Sequence, residues 1–176
     1  MPIDELPKRE FEHAVELYAD SMYRVAFRLT GKSDLASELV QETCLQAWQG
    51  LASLRDRSRL RAWMFGILRF QYSKLLRRES RYSELPGGIA EMIPDQVSPS
   101  KADVQEIVQT AIGKLDESYR LPILLVSMEG ISVDEAAEIL GLPRGTVLSR
   151  LHRGREKLKD LIERTAEFRP KQNHET

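Results

Sequence analysis

Apolar residues return every three or four positions along most of this chain, and the two-residue alternation of a half-buried strand is nearly absent. Over residues 11–29, Phe11, Val15, Tyr18, Met22, Val25, Ala26 and Leu29 form one stripe and predict a first helix. "TGKSD" interrupts the stripe, with Gly31 as the stop and Ser33 or Asp34 as the cap of a second helix over 35–49. "GLASLRDRS" is a polar connection, and Ser58 is placed to cap a third helix over 59–78. Residues 80–100 hold three prolines and a Gly-Gly pair with no sustained period, the pattern of a flexible linker. Helical periodicity resumes near Ala102 and runs to about Phe168. The expected fold is all-α: two small helical domains, 1–80 and 102–168, joined by a flexible linker over 81–101 and followed by a frayed tail over 169–176.

In the second module, Ser132 and Glu135 have the S-x-x-E spacing of a capping box. Ala136, Ala137, Ile139 and Leu140 give the helix they start a narrow apolar face, Gly141 ends it, and Pro143 pre-sets the next helix. At about 100° per residue, Val147, Leu151, Gly154 and Leu158 share one side of that next helix. Gly154 costs about 1 kcal/mol of helix propensity against Ala, so its presence predicts a close backbone approach. Thr146, Ser149, Arg150 and Arg153 share the opposite side, the equipment of a DNA-recognition helix. Arg144 and Arg155 add attraction for phosphates. The segment before this hairpin, "IGKLDESYRLPILLVSMEG", predicts a supporting helix pair in which Pro122 sits early or kinks its helix.

The first module carries two further patterns. On the second helix Ala36, Leu39, Val40, Thr43, Cys44 and Ala47 cluster as core, and Glu38, Gln41, Glu42, Leu45 and Gln49 as the outer face. Cys44 on the inner side predicts packing rather than reactivity. Residues 54–81 then hold nine Arg and Lys against two acids, interleaved with Trp63, Phe65, Phe70 and Tyr72. Rings that stack on bases beside cations that meet phosphates suit single-stranded or opened DNA. For Trp63, core packing is the stronger expectation.

Composition narrows the classes. Net charge is −1, so the nucleic-acid signal is local rather than global. One cysteine cannot make an internal disulfide or a multi-cysteine zinc site. No stretch of about 18 apolar residues predicts a membrane span. His13, His152 and His174 are scattered, and P-loop and HExxH motifs are absent from the sequence. No enzyme, metal or cofactor is expected.

The order "YRVAFRLTGKSDLASELVQETCLQAW", a basic segment with "LRAWMFGIL", a linker, then "GISVDEAAEILGLPRGTVLSRLHRGREKL" resembles the bacterial RNA polymerase sigma-70 family, in particular the extracytoplasmic-function (ECF) group, which keeps only regions 2 and 4. The resemblance spans residues 11–161. It implies a cytoplasmic transcription-initiation subunit whose partners are core polymerase (β′ clamp helices and β flap), promoter DNA both duplex and melted, and an anti-sigma factor. It implies polymerase binding by Glu38, Leu39, Gln41, Glu42 and Leu45. The −10 element would be bound and melted by Leu54, Arg55, Arg57, Ser58, Arg59, Arg61, Trp63, Phe65, Arg69, Phe70, Lys74, Arg77 and Arg78. The −35 element would be read by Arg144, Thr146, Leu148, Ser149, Arg150, His152, Arg153 and Arg155. Leu148 stands where Lys or Arg is frequent, Phe70 where Asn is common, and Leu54 and Asp56 where Phe and Gly recur, so DNA preference is where this copy departs. The alternative is a helix-turn-helix regulator that does not bind polymerase core.

Overall fold

The structure is a computed structural model that describes residues 5–83 and 102–167. The regular structure of those residues is helical throughout: α1 (Glu5–Thr30), α2 (Ser33–Gly50), α3 (Leu60–Ser83), α4 (Ala102–Lys114), α5 (Glu117–Pro122), α6 (Val133–Leu140) and α7 (Arg144–Glu167). Short 3-10 turns occupy Leu51–Ser53 and Arg57–Arg59, and a π turn occupies Ile123–Met128. α3 runs past the expected stop at Arg78, so the expected linker narrows to 84–101, which lies outside the described residues together with the expected tail.

α1, α2 and α3 pack as a three-helix bundle around Met22, Val25, Ala26, Leu29, Ala36, Leu39, Met64, Phe65, Leu68 and Tyr72. α4 to α7 pack around Ile112, Leu115, Ile123, Leu124, Leu125, Ala136, Ile139, Val147 and Leu151. The two modules are not separately closed, in keeping with two helical units each too small for a full core of its own. One contiguous cluster of buried apolar side chains runs through both, with α6 on α3 and α4 and the π turn on α1.

Polar groups stitch the same junction. The Gln109 amide of α4 donates to Arg28 O at 3.3 Å, satisfying a carbonyl at the end of α1 that has no helical partner. Arg28 in turn donates to Gln109 Oε1 at 3.1 Å, and burial lowers its pKa. Arg120 of α5 donates to the hydroxyl of buried Tyr72 at 3.3 Å. Glu129, its side chain only 6% exposed, accepts from Ser21 Oγ at 2.7 Å and from Arg24 Nε and Nη2 at 2.9 and 2.6 Å.

Several caps differ from expectation. α2 begins after Lys32 without a side-chain cap, because a lysine ammonium cannot accept a hydrogen bond; Lys32 N itself donates to the Thr30 hydroxyl at 3.3 Å. Asp56, not Ser58, organises the entry to α3: its carboxylate accepts from Ser58 N at 3.0 Å and Ser58 Oγ at 2.6 Å. Asp116 caps α5 in the same manner, with Ser118 as donor. Ser132 caps α6 by accepting from Glu135 N at 3.2 Å, but the Glu135 carboxylate does not return to Ser132 and is turned to Arg61 of α3.

Pro122 ends α5 rather than starting it. Its nitrogen has no hydrogen to give to Ser118 O. The chain continues in the wider π turn, closed by Glu129 N donating to Leu124 O at 3.1 Å. Gly141 ends α6 at φ +64°, the left-handed geometry expected of it.

Gly154 is the close approach that its poor helix propensity predicts. A Cβ there would meet Tyr119 Cβ at 3.1 Å and Ile123 Cγ1 at 3.2 Å. Gly154→Ala should therefore destabilise the protein by about 1 to 2 kcal/mol, overpacking outweighing the gain in helix propensity; the midpoint of urea unfolding measures it. Hydrogen bonds from Ser58 hold the Asp56 carboxyl below the usual aspartate range. A lowered carboxylate pKa contributes order above the ordinary aspartate range and loses it as pH falls through the lowered value. In a side-chain NMR titration Asp56 should accordingly titrate below ordinary aspartate, and Ser58→Ala should move its midpoint upward.

Candidate nucleic-acid interface

α7 separates into two sides. Val147, Leu151 and Gly154 are buried against the second module. Leu148, Ser149, His152 and Arg153 are exposed, and Thr146 and Arg150 are half-buried beside them. Pre-existing partners modify this set. Ser149 Oγ donates to Thr146 O at 2.9 Å, Arg144 pairs with Asp134 at 2.9 Å, and His152 Nδ1 lies 3.5 Å from the Glu156 carboxylate. Arg155 is drawn off the open side and donates to Ser127 Oγ at 3.2 and 3.1 Å. Among the described residues, the free cations of the open side are thus Arg150 and Arg153, and Leu148 is an exposed apolar side chain elsewhere on the same helix surface.

The basic run is divided by the packing of α3. Phe65 is 2% exposed and belongs to the core, so it is not available to a base in this arrangement. Trp63 is half-buried, its ring lying where a Cβ on Gly50 would meet it at 3.1 Å. Phe70 is 54% exposed, and Lys74, Arg77 and Arg78 follow it on the surface. Arg55, Arg57, Ser58 and Arg59 are exposed in and around the Asp56-capped turn, where Arg57 donates to Leu51 O at 3.1 Å and pairs with Glu10 at 3.6 Å. Leu54, Trp63, Arg69 and Phe70 line a cleft of about 640 Å³, wide enough for a planar ring system. Arg69 Nε is buried there without a partner.

Glu138 and Ile139 of α6 close one side of that cleft. Arg61 makes a two-toothed pair with Glu135, Nε to Oε1 at 2.6 Å and Nη2 to Oε2, and Arg59 Nη2 reaches Glu138 Oε1. These carboxylates raise the pKa of both guanidiniums against desolvation. Neither glutamate belongs to the DNA-binding set that the sequence predicts. The available signal is that Glu135 and Glu138, three residues apart, project from one side of α6.

On α2, Glu38, Gln41, Glu42 and Leu45 form an exposed strip as the wheel places them. Leu39 is 5% exposed and packs inward, because it lies on the inner side of the same helix. Trp48, 45% exposed with its ring 5.3 Å from Phe11, extends the strip and was missed, although it lies three and seven residues on from Leu45 and Gln41. Glu38 and Glu42 also share a cleft with Lys74 and Arg78 of α3, where the buried Gln71 Nε2 has no partner. Cys44 is half-buried behind the strip, and burial pushes its thiol pKa up, the behaviour of a packing residue. Among the described residues no helix is long and apolar enough to cross a membrane.

Two family models match the chain: Sigma-70 region 2 over residues 14–82 and Sigma-70, region 4 over residues 105–158. The ECF RNA polymerase sigma factor EcfG of Rhodopseudomonas palustris is 34% identical over 81% of this chain and 79% of its own length. SigW, an ECF sigma factor of Bacillus subtilis, is 28% identical over 85% and 87%. Among solved structures, the sigma factor RpoE in complex with the anti-sigma factor NepR from Bartonella quintana aligns with a TM-score of 0.75 at 31% identity, over 88% of this chain and 98% of that one. CnrH in complex with the cytosolic domain of CnrY aligns with a TM-score of 0.70 at 27% identity, over 89% and 90%. With both regions matched in order and ECF relatives aligned along most of both chains, this protein belongs to the sigma-70 family, as an RNA polymerase sigma factor of the ECF group.

Proposed function

We propose that the chain divides its work among three surfaces. The α2 strip of Glu38, Gln41, Glu42 and Leu45, continued by Trp48, docks on the β′ clamp helices of core polymerase. The open side of α7, with Arg144, Thr146, Ser149, Arg150 and Arg153, reads the −35 element in the major groove. The Asp56-capped turn and the outer side of α3 take the −10 strand, the cleft beside Phe70 accepting an unstacked base while Arg59, Arg61, Lys74, Arg77 and Arg78 meet phosphates. Binding on each site is weak alone and gains through the effective concentration that one tether provides. Melting is driven by binding energy, stacking and phosphate contact replacing the base pairing that is lost. The chain works as a binding subunit, in the cytoplasm where its polymerase acts, and the complex of the similar sigma factor RpoE with the anti-sigma factor NepR supports an anti-sigma partner.

The observation that carries this reading is the α2 strip, which sets acids beside two half-exposed apolar side chains, Leu45 and Trp48. A surface kept only for solubility has no use for Leu45 and Trp48 together. Exposed Leu148, in a side that otherwise meets phosphates and base edges, suits apolar contact with a thymine methyl better than a phosphate contact.

In transcription reconstituted with core polymerase and genomic fragments, the protein should support initiation. Reversing Glu38 and Glu42 to Arg should abolish core binding and leave duplex binding intact. Arg153→Ala should spare core binding and weaken duplex promoter binding by about 1 to 3 kcal/mol. A helix-turn-helix regulator that ignores polymerase would be indifferent to the charge reversal.

A further inference from the structure

The two DNA faces are not equally available in the free chain. Among the described residues no other element covers the open side of α7, and Leu148, Ser149 and Arg153 face solvent. The α3 side is different, because α6 lies on it and Glu138 and Ile139 border the cleft beside Phe70. Arg61 and Arg59, at the entrance of α3, are both engaged by carboxylates from a segment more than seventy residues away. A guanidinium fork matches carboxylate and phosphate alike, so the two anions compete for one seat. Glu135 is the sharper case, since its local role would be to complete the Ser132 capping box and it is turned to Arg61 instead. Away from the cleft, Glu129 clasps Ser21 and Arg24 of α1 and holds the same two modules together.

We infer that the free chain masks its own −10 face, with Glu135 and Glu138 of α6 occupying the places of DNA phosphates at Arg61 and Arg59, while the −35 face stays open. This rests on the assignment of the α3 side to the −10 strand. The pairs across the junction run one way, arginines on the first module and glutamates on the second, so they act together as a clasp. Arg59–Glu138 is about half exposed on both sides, and such pairs are individually weak and screened by salt. The clasp is therefore strong enough to bias the closed arrangement and weak enough for a surface that holds the modules apart to undo it. A free sigma factor of this kind can touch duplex DNA without opening it, and single-strand capture waits for separation of α6 from α3.

The test uses the full chain, free of polymerase, with a fluorescein-labelled oligothymidine single strand and a labelled random-sequence duplex, both read by anisotropy. Glu135→Gln with Glu138→Gln should raise single-strand affinity by about fivefold at low salt, the ratio to the parent shrinking as salt rises. Glu138→Gln alone, at a half-exposed position where folding is not at stake, should give part of the gain. Glu129→Gln, remote from the cleft, should also raise single-strand affinity, because it loosens the same closure without altering charge at the cleft. Duplex affinity should change in none of them. If the cleft variants gain and Glu129→Gln does not, or if duplex binding rises in step, only local charge has changed and the masking inference is overturned. No gain in any variant, with binding still lost on Arg59→Ala and Arg61→Ala, overturns the inference and leaves the −10 assignment standing. Single-strand binding that ignores Arg59 and Arg61 in every background removes the assignment and the inference with it.

Discussion

Neither helical module is large enough to cover its own helices, and that shortage of cover organises the molecule. Small domains bury a smaller fraction of their surface, so an added neighbour is worth more to them. Here the neighbour is the other half of the chain. The apolar cluster crosses the boundary without a break, and Tyr72, 1% exposed, is sealed at the place where α3 meets α1 and α5. The end of α1 finds a donor in Gln109 of α4, so part of the first module's backbone is satisfied by the second.

From that sharing follows a tension between stability and action. On the proposed function the chain works at two promoter elements and a polymerase, with modules whose core is most complete when they are together. The resolution lies in the kind of contact used. Beside its apolar cluster the junction carries guanidinium–carboxylate pairs, and at Arg59 and Arg61 the carboxylates hold a geometry that a phosphate could take over on the proposed function. An all-apolar junction of the same area would be harder to open without exposing surface that aggregates.

Periodicity made the helices legible and largely decided which side of each faces inward, as Leu39, Ala47, Val147 and Leu151 illustrate. Gly141 and Gly154 were legible because each has a backbone requirement that only glycine meets cheaply. The caps were less so. Ser58 and Asp56 are both good cap formers two residues apart, and only the turn geometry shows that one accepts and the other donates. Aromatics in a basic run look alike in sequence, so nothing there separates Phe65 from Phe70; packing does, with Phe65 in the same buried cluster as Met64 and Leu68. The roles of Glu135 and Glu138 were invisible for a plainer reason. Their partners are 74 and 79 residues away, and no local spacing encodes a pairing across a linker.

The π turn after Pro122 bears on how the sequence can change. One extra residue in a turn rotates everything beyond it by about 100° relative to a regular helix. That rotation ends at Glu129, whose carboxylate reaches Ser21 and Arg24. Winding the same residues as an ordinary α-helix would swing Glu129 off α1, whereas deleting one residue within 123–128 would let the segment relax to α geometry with Glu129 kept close to its present direction. What the segment must keep is therefore its wide winding and not its residue count: the same six residues wound as an α-helix would lose the clasp, and one fewer would keep it.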